Sequence, residues 1–301
     1  MAIKKRSYIF AVLVCLVLTY QVPAQILDLP TPETWRLTMI GETGGFREIV
    51  AASIDPAGNI YVVDRDANMV HKIDRNVFIE RSIGGYGWGN HEFDRPSDVW
   101  AENGIDVFVA DYGNHRIQRF DRRLSYVGTL ETRNTGFDIE QFGYPVGVTM
   151  NRQGDLYVVD EENLRIVSFG GIDRHRKTFG GMDAGRFRIS SPRKIEIYGD
   201  DLISIRDGNR LLFFDQFGSP YREFPSRFLP TYKDVSITGD TIFLLRDESI
   251  DIYRGELRRP VERINLLPYF GDPAELKRIA TSSNRIVLMS AERVWVFQLL
   301  R

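Results

Sequence analysis

Short apolar runs bounded by turn residues recur along the whole chain. The clearest run occurs six times, as IYVVD at 60–64, VFVAD at 107–111, LYVVD at 156–160, LISIR at 202–206, IFLLR at 242–246 and IVLMS at 286–290. Successive copies end 40 to 49 residues apart. A period in this range, with several strands in each unit, is typical of the blades of a β-propeller.

Each of the six units predicts a meander of four strands, with the recurring run as the second. The first strands are predicted at 49–54, 98–102, 146–150, 194–198, 234–238 and 278–282. The third strands are predicted at 69–74, 116–121, 165–169, 211–215, 250–254 and 294–298. The fourth strands are predicted at 77–83, 126–130, 175–179, 221–224 and 261–267. Pairs such as Gly58-Asn59 between first and second strands suit two-residue hairpins, because they tolerate positive φ angles.

The sixth unit lacks a fourth strand, since the chain ends after its third. The missing strand is predicted near the N-terminus, where WRLTMI occupies 35–40 and is followed by the glycine-rich connector GETGGF. Pairing this strand with the last blade closes the ring and removes an open sheet edge. We therefore predict an all-β fold over 35–301, a six-bladed β-propeller closed by an N-terminal strand completing the last blade.

The first 24 residues differ from the rest and have the layout of a secretory signal peptide. Lys4, Lys5 and Arg6 precede an apolar run over 8–20, and Val22-Pro23-Ala24 offers a cleavage site. The run is shorter than the roughly 20 residues of a membrane span, so a retained anchor is the less favoured alternative. We expect export to the periplasm, cell surface or extracellular space, no membrane span after cleavage, and a linker over 25–34.

Composition and charge exclude several classes of function. The chain carries 39 Lys and Arg against 41 Asp and Glu, so it lacks the basic excess of a nucleic-acid-binding protein. Its one cysteine, Cys15, lies inside the predicted signal peptide. Cleavage then leaves no disulfide, thiolate metal site or cysteine nucleophile.

The second unit carries a family resemblance. It reads GGYGWGNHEFDRPSDVWAENGIDVFVADYGNHRIQRFD at 84–121, a glycine-rich connector followed by Phe, Pro, a strand ending in Asp, and N-H-R-I-x-x-F. This pattern resembles the NHL-repeat family, and the third unit keeps much of it, including Phe142, Pro145 and Asp160. The resemblance implies a six-bladed propeller. It implies no single activity, because the family includes protein-, RNA- and small-molecule-binding members and a few enzymes.

Acidic residues end the second strands of the first three units and give one candidate site. Asp64, Asp111 and Asp160 are aligned with Arg206 and Arg246 in units four and five. In one interpretation each aspartate caps its own turn by accepting backbone N–H bonds. In the other, the rim has an acidic and a basic half that orient a charged or zwitterionic ligand.

The connector over 84–93 gives a second candidate site. Tyr86, Trp88 and His91 stand among Gly and Asn residues, a composition that suits stacking on a carbohydrate or peptide. Since large aromatic side chains are mostly well buried, we expect Trp88 to fold back onto the neighbouring blade.

These patterns favour a non-enzymatic binding scaffold that recognises a protein or glycan partner through its loop face, without a cofactor. The alternative is a small-molecule hydrolase or lyase with calcium or zinc at the channel mouth. The four histidines, His71, His91, His115 and His175, fall on different outer positions and do not predict the three converging ligands of a catalytic zinc. A structural envelope component is a third hypothesis.

Overall fold

The computed structural model describes residues 35–134, 137–171, 174–224, 231–255 and 259–300. The predicted signal peptide and linker, 1–24 and 25–34, lie outside these residues. Within them the chain forms 24 strands in six four-stranded antiparallel sheets, and two short 3-10 helices, Met182–Phe187 and Pro273–Glu275. Over the same residues, no helix combines the length and the apolar composition that crossing a membrane requires.

The strands follow one another outwards in each sheet, in the order of the predicted meanders. The inner strands are β2 (Ile49–Ile54), β6 (Pro96–Trp100), β10 (Pro145–Met150), β14 (Pro192–Tyr198), β18 (Asp234–Thr238) and β22 (Arg278–Thr281). The second strands are β3 (Ile60–Asp64), β7 (Asp106–Asp111), β11 (Asp155–Asp160), β15 (Leu202–Asp207), β19 (Thr241–Leu245) and β23 (Arg285–Met289). The third strands are β4 (Met69–Ile73), β8 (Arg116–Asp121), β12 (Arg165–Gly170), β16 (Arg210–Phe214), β20 (Ser249–Arg254) and β24 (Arg293–Leu300). The outer strands are β5 (Ile79–Gly84), β9 (Tyr126–Glu131), β13 (Arg174–Phe179), β17 (Pro220–Phe224), β21 (Glu262–Asn265) and β1 (Arg36–Gly44).

The six sheets form a closed ring. Each inner strand contacts the inner strand of the next sheet, from β2 through β6, β10, β14 and β18 to β22, and β22 contacts β2. The predicted six-bladed β-propeller is therefore confirmed, with the six inner strands around a central axis.

The N-terminal strand closes the last blade as predicted. β1 pairs antiparallel with β24 from Arg36 opposite Leu300 to Gly44 opposite Arg293, with a bulge between Met39 and Gly41. It is longer than the predicted strand because the connector residues up to Gly44 continue the pairing. Leu37 on β1 is buried against the core of blades five and six.

The apolar core lies between neighbouring blades. One buried cluster joins Ile60 and Val62 of blade one to Val287 and Val296 of blade six. The second strands are buried along most of their length, whereas outer strands such as β5 expose most residues. Each fully buried aliphatic side chain contributes about 1.5–3 kcal/mol, so this packing between blades stabilises the ring.

Candidate functional site

Alternating strand direction divides the loops between two faces of the ring. One face carries the turns between second and third strands, such as 65–68, and the connectors between blades, such as 85–95. We call it the upper face. The lower face carries the other two turns of each blade, such as 55–59 and 74–78. The candidate residues from the sequence lie at the upper end of the blades.

The three marker aspartates share one arrangement, which is clearest at the fully buried Asp111. Its Oδ1 accepts a bond of 2.8 Å from the Asp94 backbone N–H. Its Oδ2 accepts bonds of 2.9 Å from the Asn114 side-chain amide and 2.8 Å from Arg116 Nε. Asp94 belongs to the preceding connector, Asn114 to the following turn and Arg116 to the start of β8, so the carboxylate joins both loops and not only its own turn.

Asp64 and Asp160 are buried in the same way. Asp64 accepts backbone N–H bonds from Arg47 and Glu48 at 2.8 and 2.9 Å. Asp160 accepts from the Asn163 side chain at 2.8 Å and from Arg165 Nε at 3.0 Å. The three carboxylates are thus directed at their own loops, and they do not present an acidic half-rim to solvent.

The register corrects the alignment of blade four. Pro192 pairs with Asp207, as Pro145 pairs with Asp160, so Asp207 holds the marker position and Arg206 precedes it. Asp207 is buried and accepts from the Ser190 N–H and from Arg210 Nε, both at 2.9 Å. The prediction that Arg206 replaces the marker aspartate in blade four is therefore wrong.

The two arginines of the candidate set have different surroundings. Arg206 points to the axis, where Nη1 donates to Asp234 Oδ1 at 2.9 Å and the guanidinium lies over the Tyr232 ring. Arg246 follows β19 at the marker position of blade five and donates to Asp251 Oδ2 at 3.3 Å. They do not form one basic surface.

The connector of 84–93 projects its aromatic side chains into solvent. Trp88 is 66% exposed and Tyr86 is also mostly exposed, so the expectation that Trp88 folds back is wrong. Arg116 holds the loop through its backbone, because its guanidinium donates to the carbonyls of Trp88, Gly89 and Glu92 at 2.9–3.0 Å. His91 stands apart from the two exposed rings and packs against Phe120 and Tyr126.

The next two connectors also expose apolar side chains. Phe137 is 67% exposed and Ile139 57% exposed between blades two and three, and Met182 is 80% exposed between blades three and four. We call Tyr86, Trp88, Phe137, Ile139 and Met182 the upper apolar arc. The sequence pattern gave no signal for Met182, which lies on a 3-10 helix that apolar periodicity does not reveal.

Charged side chains of four inner strands meet at the axis. The inner strands β6, β14, β18 and β22 carry a charged residue at the equivalent position, which pairs with the residue before the marker position. These residues are Asp98, Lys194, Asp234 and Arg278. Lys194 Nζ lies 3.2 Å from Glu196 Oε1 and donates to the Val235 carbonyl at 2.8 Å. Glu196 and Asp234 belong to different blades, and the ring brings both of them near Lys194.

These contacts also join neighbouring blades. Asp98 Oδ2 accepts the Val148 N–H at 2.9 Å, and Asp234 Oδ2 accepts the Ile279 N–H at 3.0 Å. Each carboxylate thereby satisfies a buried backbone donor of the next inner strand, so part of the axial charge is structural.

Burial changes the protonation of the axial carboxyl groups. Desolvation raises the pKa of Asp98 to about 7, although the Val148 N–H and Lys194 oppose the shift. Desolvation, followed by the charge of Glu196, raises the pKa of Glu102 to about 7, even though solvent reaches this side chain through the lower end of the channel. Burial lowers the pKa of Lys194, but Glu196, Asp234 and Asp98 outweigh that effect and raise it overall.

Asp98 is expected to make stability decrease with rising pH. Its folded pKa of about 7 exceeds the ordinary value of 3.8, so between these values the folded state retains a proton that the unfolded state has lost. Its contribution is complete below about pH 4, falls through this window and is lost above about pH 7. We expect the free energy of unfolding, measured with urea, to fall less between pH 5 and pH 8 for Asp98→Asn than for the parent protein. Equal decreases would contradict the assignment.

The channel opens into a cavity at each end. The upper cavity has a volume of about 290 Å³ and is lined by Asp98, Lys194, Arg206 and Asp234 among others. The lower cavity has a volume of about 470 Å³ and is lined by residues that include Trp100, Glu102 and Asn151. Both lie where a propeller can hold a small ligand.

The histidines do not converge on either cavity. His71 is on β4, His175 on β13, and His115 occupies a left-handed turn position with φ of 54°. Across the part of the chain that the structure describes, no three His, Cys, Asp or Glu side chains are grouped closely enough to hold a metal ion.

Comparison with known proteins agrees with this architecture. A model of the NHL repeat matches residues 142–169, which cover the connector and first three strands of blade three. The chain is a six-bladed β-propeller whose third blade matches the NHL repeat. The matched segment contains Asp160 and Arg165, which form an ion pair in blade three.

Curated relatives match part of the propeller. It is 29% identical over 123 residues to a probable peptidyl-alpha-hydroxyglycine alpha-amidating lyase of Caenorhabditis elegans, over 39% of this chain and 35% of the relative. It is 31% identical over 118 residues to human NHL repeat-containing protein 3, over 38% of this chain and 33% of the relative. The chain therefore matches about a third of the length of each relative.

Solved structures resemble the propeller over most of its length. A streptogramin B lyase superposes with a TM-score of 0.61 at 12% identity, over 88% of this chain and 98% of the other. The virginiamycin B lyase of Staphylococcus aureus superposes with a TM-score of 0.58 at 13% identity, over 88% and 100%. At such low identity the likeness shows the fold alone.

Proposed function

We propose that the protein is a non-enzymatic binding scaffold that recognises a protein or glycan partner through its upper face. The observation that carries this proposal is the upper apolar arc, whose side chains are exposed on three consecutive connectors. Several exposed apolar side chains on neighbouring connectors of one face favour an interaction site more than single exposed residues do. The partner would be met after export, in the periplasm, on the cell surface or outside the cell.

Each connector of the arc is held by an arginine of the following blade. Arg116 binds the carbonyls of the first connector, Arg165 binds the Asp138 and Gln141 carbonyls of the second, and Arg210 binds the Arg186 and Arg188 carbonyls of the third. These arginines are in turn held by the marker aspartates. The aspartates therefore position the proposed surface rather than form it.

This rigidity favours recognition. A loop fixed through its backbone loses little conformational entropy when a partner binds, so more of the contact energy appears as affinity. Tyr and Trp side chains bury a large area with few rotatable bonds, and they are enriched among residues that dominate binding energy.

Trp88→Ala combined with Phe137→Ala is expected to weaken partner binding by about 30-fold or more, the effect of losing at least about 2 kcal/mol at an interface hot spot. The matched control is Phe217→Ala, because Phe217 is equally exposed but lies on a lower-face turn. Glycan arrays and envelope-extract pull-downs would be compared across the three proteins. Equal capture by all three would contradict the proposal.

A second candidate is a small-molecule hydrolase or lyase acting in the axial channel. Two observations favour it: the partial similarity to an amidating lyase, and the raised pKa values of Asp98 and Glu102, which are typical of acid–base groups. Elemental analysis of the purified protein separates the two candidates. Stoichiometric calcium or zinc favours the enzyme, and Glu102→Gln should then abolish any turnover found.

A further inference from the structure

The upper cavity of the axial channel has an excess of positive charge. Its lining includes five cationic side chains but only three acidic ones. The cationic residues are Arg65, Arg193, Lys194, Arg206 and Arg278. The acidic residues are Asp98, Glu161 and Asp234. The excess is unusual for a chain whose overall charge is −2. It is also concentrated at one end of the channel.

The three carboxylates of the cavity are already engaged by the protein. Asp98 accepts the N–H groups of Val99 and Val148, both at 2.9 Å. Asp234 accepts the Ile279 N–H and a bond from Arg206, and Glu161 accepts the Tyr112 hydroxyl at 2.8 Å. Donors of the protein therefore already stabilise the negative charge of these three carboxylates.

The arginines keep donor capacity facing the cavity. Arg278 donates through Nε to the Val50 carbonyl at 3.0 Å and through Nη1 to its neighbour Lys277. Arg206 donates through Nε and Nη1 to Gly208, Lys233 and Asp234. Both guanidinium groups are thus fixed in place by bonds that leave Nη2 unused among these contacts.

We propose that the upper cavity, which Arg65, Arg206 and Arg278 line, binds a small anion through a carboxylate or phosphate group held by Arg278 and Arg65. Planar guanidinium groups form paired, charge-assisted hydrogen bonds with both of these anionic groups. The volume of about 290 Å³ lies at the small end of ligand sites, so it suits a metabolite-sized molecule rather than a polymer. The partly enclosed position strengthens the attraction compared with open solvent.

This site is separate from the upper apolar arc. The arc lies on the connectors between blades, whereas the cavity is built from inner strands and the turns at the axis. The proposed anion site therefore does not depend on the proposed binding of a partner to the arc.

Calorimetric titration of the full chain with inorganic phosphate and with succinate, at low ionic strength, tests the proposal. We expect one equivalent of at least one probe to bind with a Kd below about 1 mM. Arg278→Gln should weaken binding by about 10- to 100-fold, the effect of losing a hydrogen bond to a charged group. Arg65→Gln gives a second variant with little risk to folding, because Arg65 is partly exposed and its ion pair is with exposed Asp66.

Arg293→Gln is the matched control, because Arg293 lies outside the cavity and pairs with exposed Glu42. It should leave binding unchanged. Binding of phosphate alone identifies a phosphoryl ligand, and binding of succinate alone identifies a carboxylate ligand. The proposal is overturned if neither probe binds below about 1 mM, if both cavity variants bind like the parent, or if Arg293→Gln weakens binding equally.

Discussion

Asp111→Ala is expected to lower the free energy of unfolding by about 3–5 kcal/mol, the range for breaking a buried ion pair from one side. Asp111 is fully buried, and Arg116 beside it is 8% exposed. Removing the carboxylate leaves that guanidinium without its charge partner and leaves the Asp94 N–H and the Asn114 amide without their acceptor. Urea unfolding followed by fluorescence measures the loss.

Asp200→Ala is the control for this prediction. Asp200 lies on a lower-face turn, where it forms an exposed ion pair with Arg152. Exposed pairs contribute little, so the control should change the unfolding free energy by less than about 1 kcal/mol. A loss at Asp111 as small as that at Asp200 would show that the marker aspartates do not hold the connectors.

Deleting residues 1–44 is expected to abolish cooperative unfolding and to cause aggregation. The deletion removes β1, so β24 loses its partner over the whole register from Arg293 to Leu300 and becomes an exposed edge. It also removes Leu37 from the core of the last two blades. Thermal unfolding and size-exclusion chromatography give the readout.

Deleting residues 1–34 is the matched control, because this deletion stops just before the closing strand β1, which begins at Arg36. That shorter deletion should stay monodisperse and unfold cooperatively. If both deletions behave alike, the strand from Arg36 contributes nothing to the stability of the ring.

Much of the fold could be predicted from the sequence, because each blade repeats the same local signals. The six runs such as IYVVD, the Gly and Asn turns and the leftover strand near Trp35 together specified the meanders and the closure. Local strand patterns of this kind are strong because each strand is short and bounded. The error at Arg206 arose because LISIR was aligned on its apolar residues. That alignment put Arg206 at the marker position, whereas the true marker is the next residue, Asp207.

The axial charges could not be predicted in the same way. Asp98, Lys194, Asp234 and Arg278 are far apart in the sequence, and only the register of the inner strands places them in one ring. A repeat alignment that included the bulge after Pro96 and Pro192 would have put them in one column. The exposure of Trp88 could not be predicted either, because it depends on the connector backbone that Arg116 fixes, and this backbone leaves the indole in solvent.

The closing register can be measured directly by cysteine cross-linking. In the chain that begins at residue 35, which has no cysteine of its own, Thr38→Cys and Gln298→Cys place two thiols on directly opposite residues of β1 and β24. Opposite residues lie within disulfide reach, whereas residues shifted by two positions are about 7–8 Å apart. The account predicts that this pair forms a disulfide under mild oxidation and that Thr38→Cys with Leu300→Cys does not. Failure of the first pair, or equal cross-linking of both, would contradict the closed ring on which every face assignment depends.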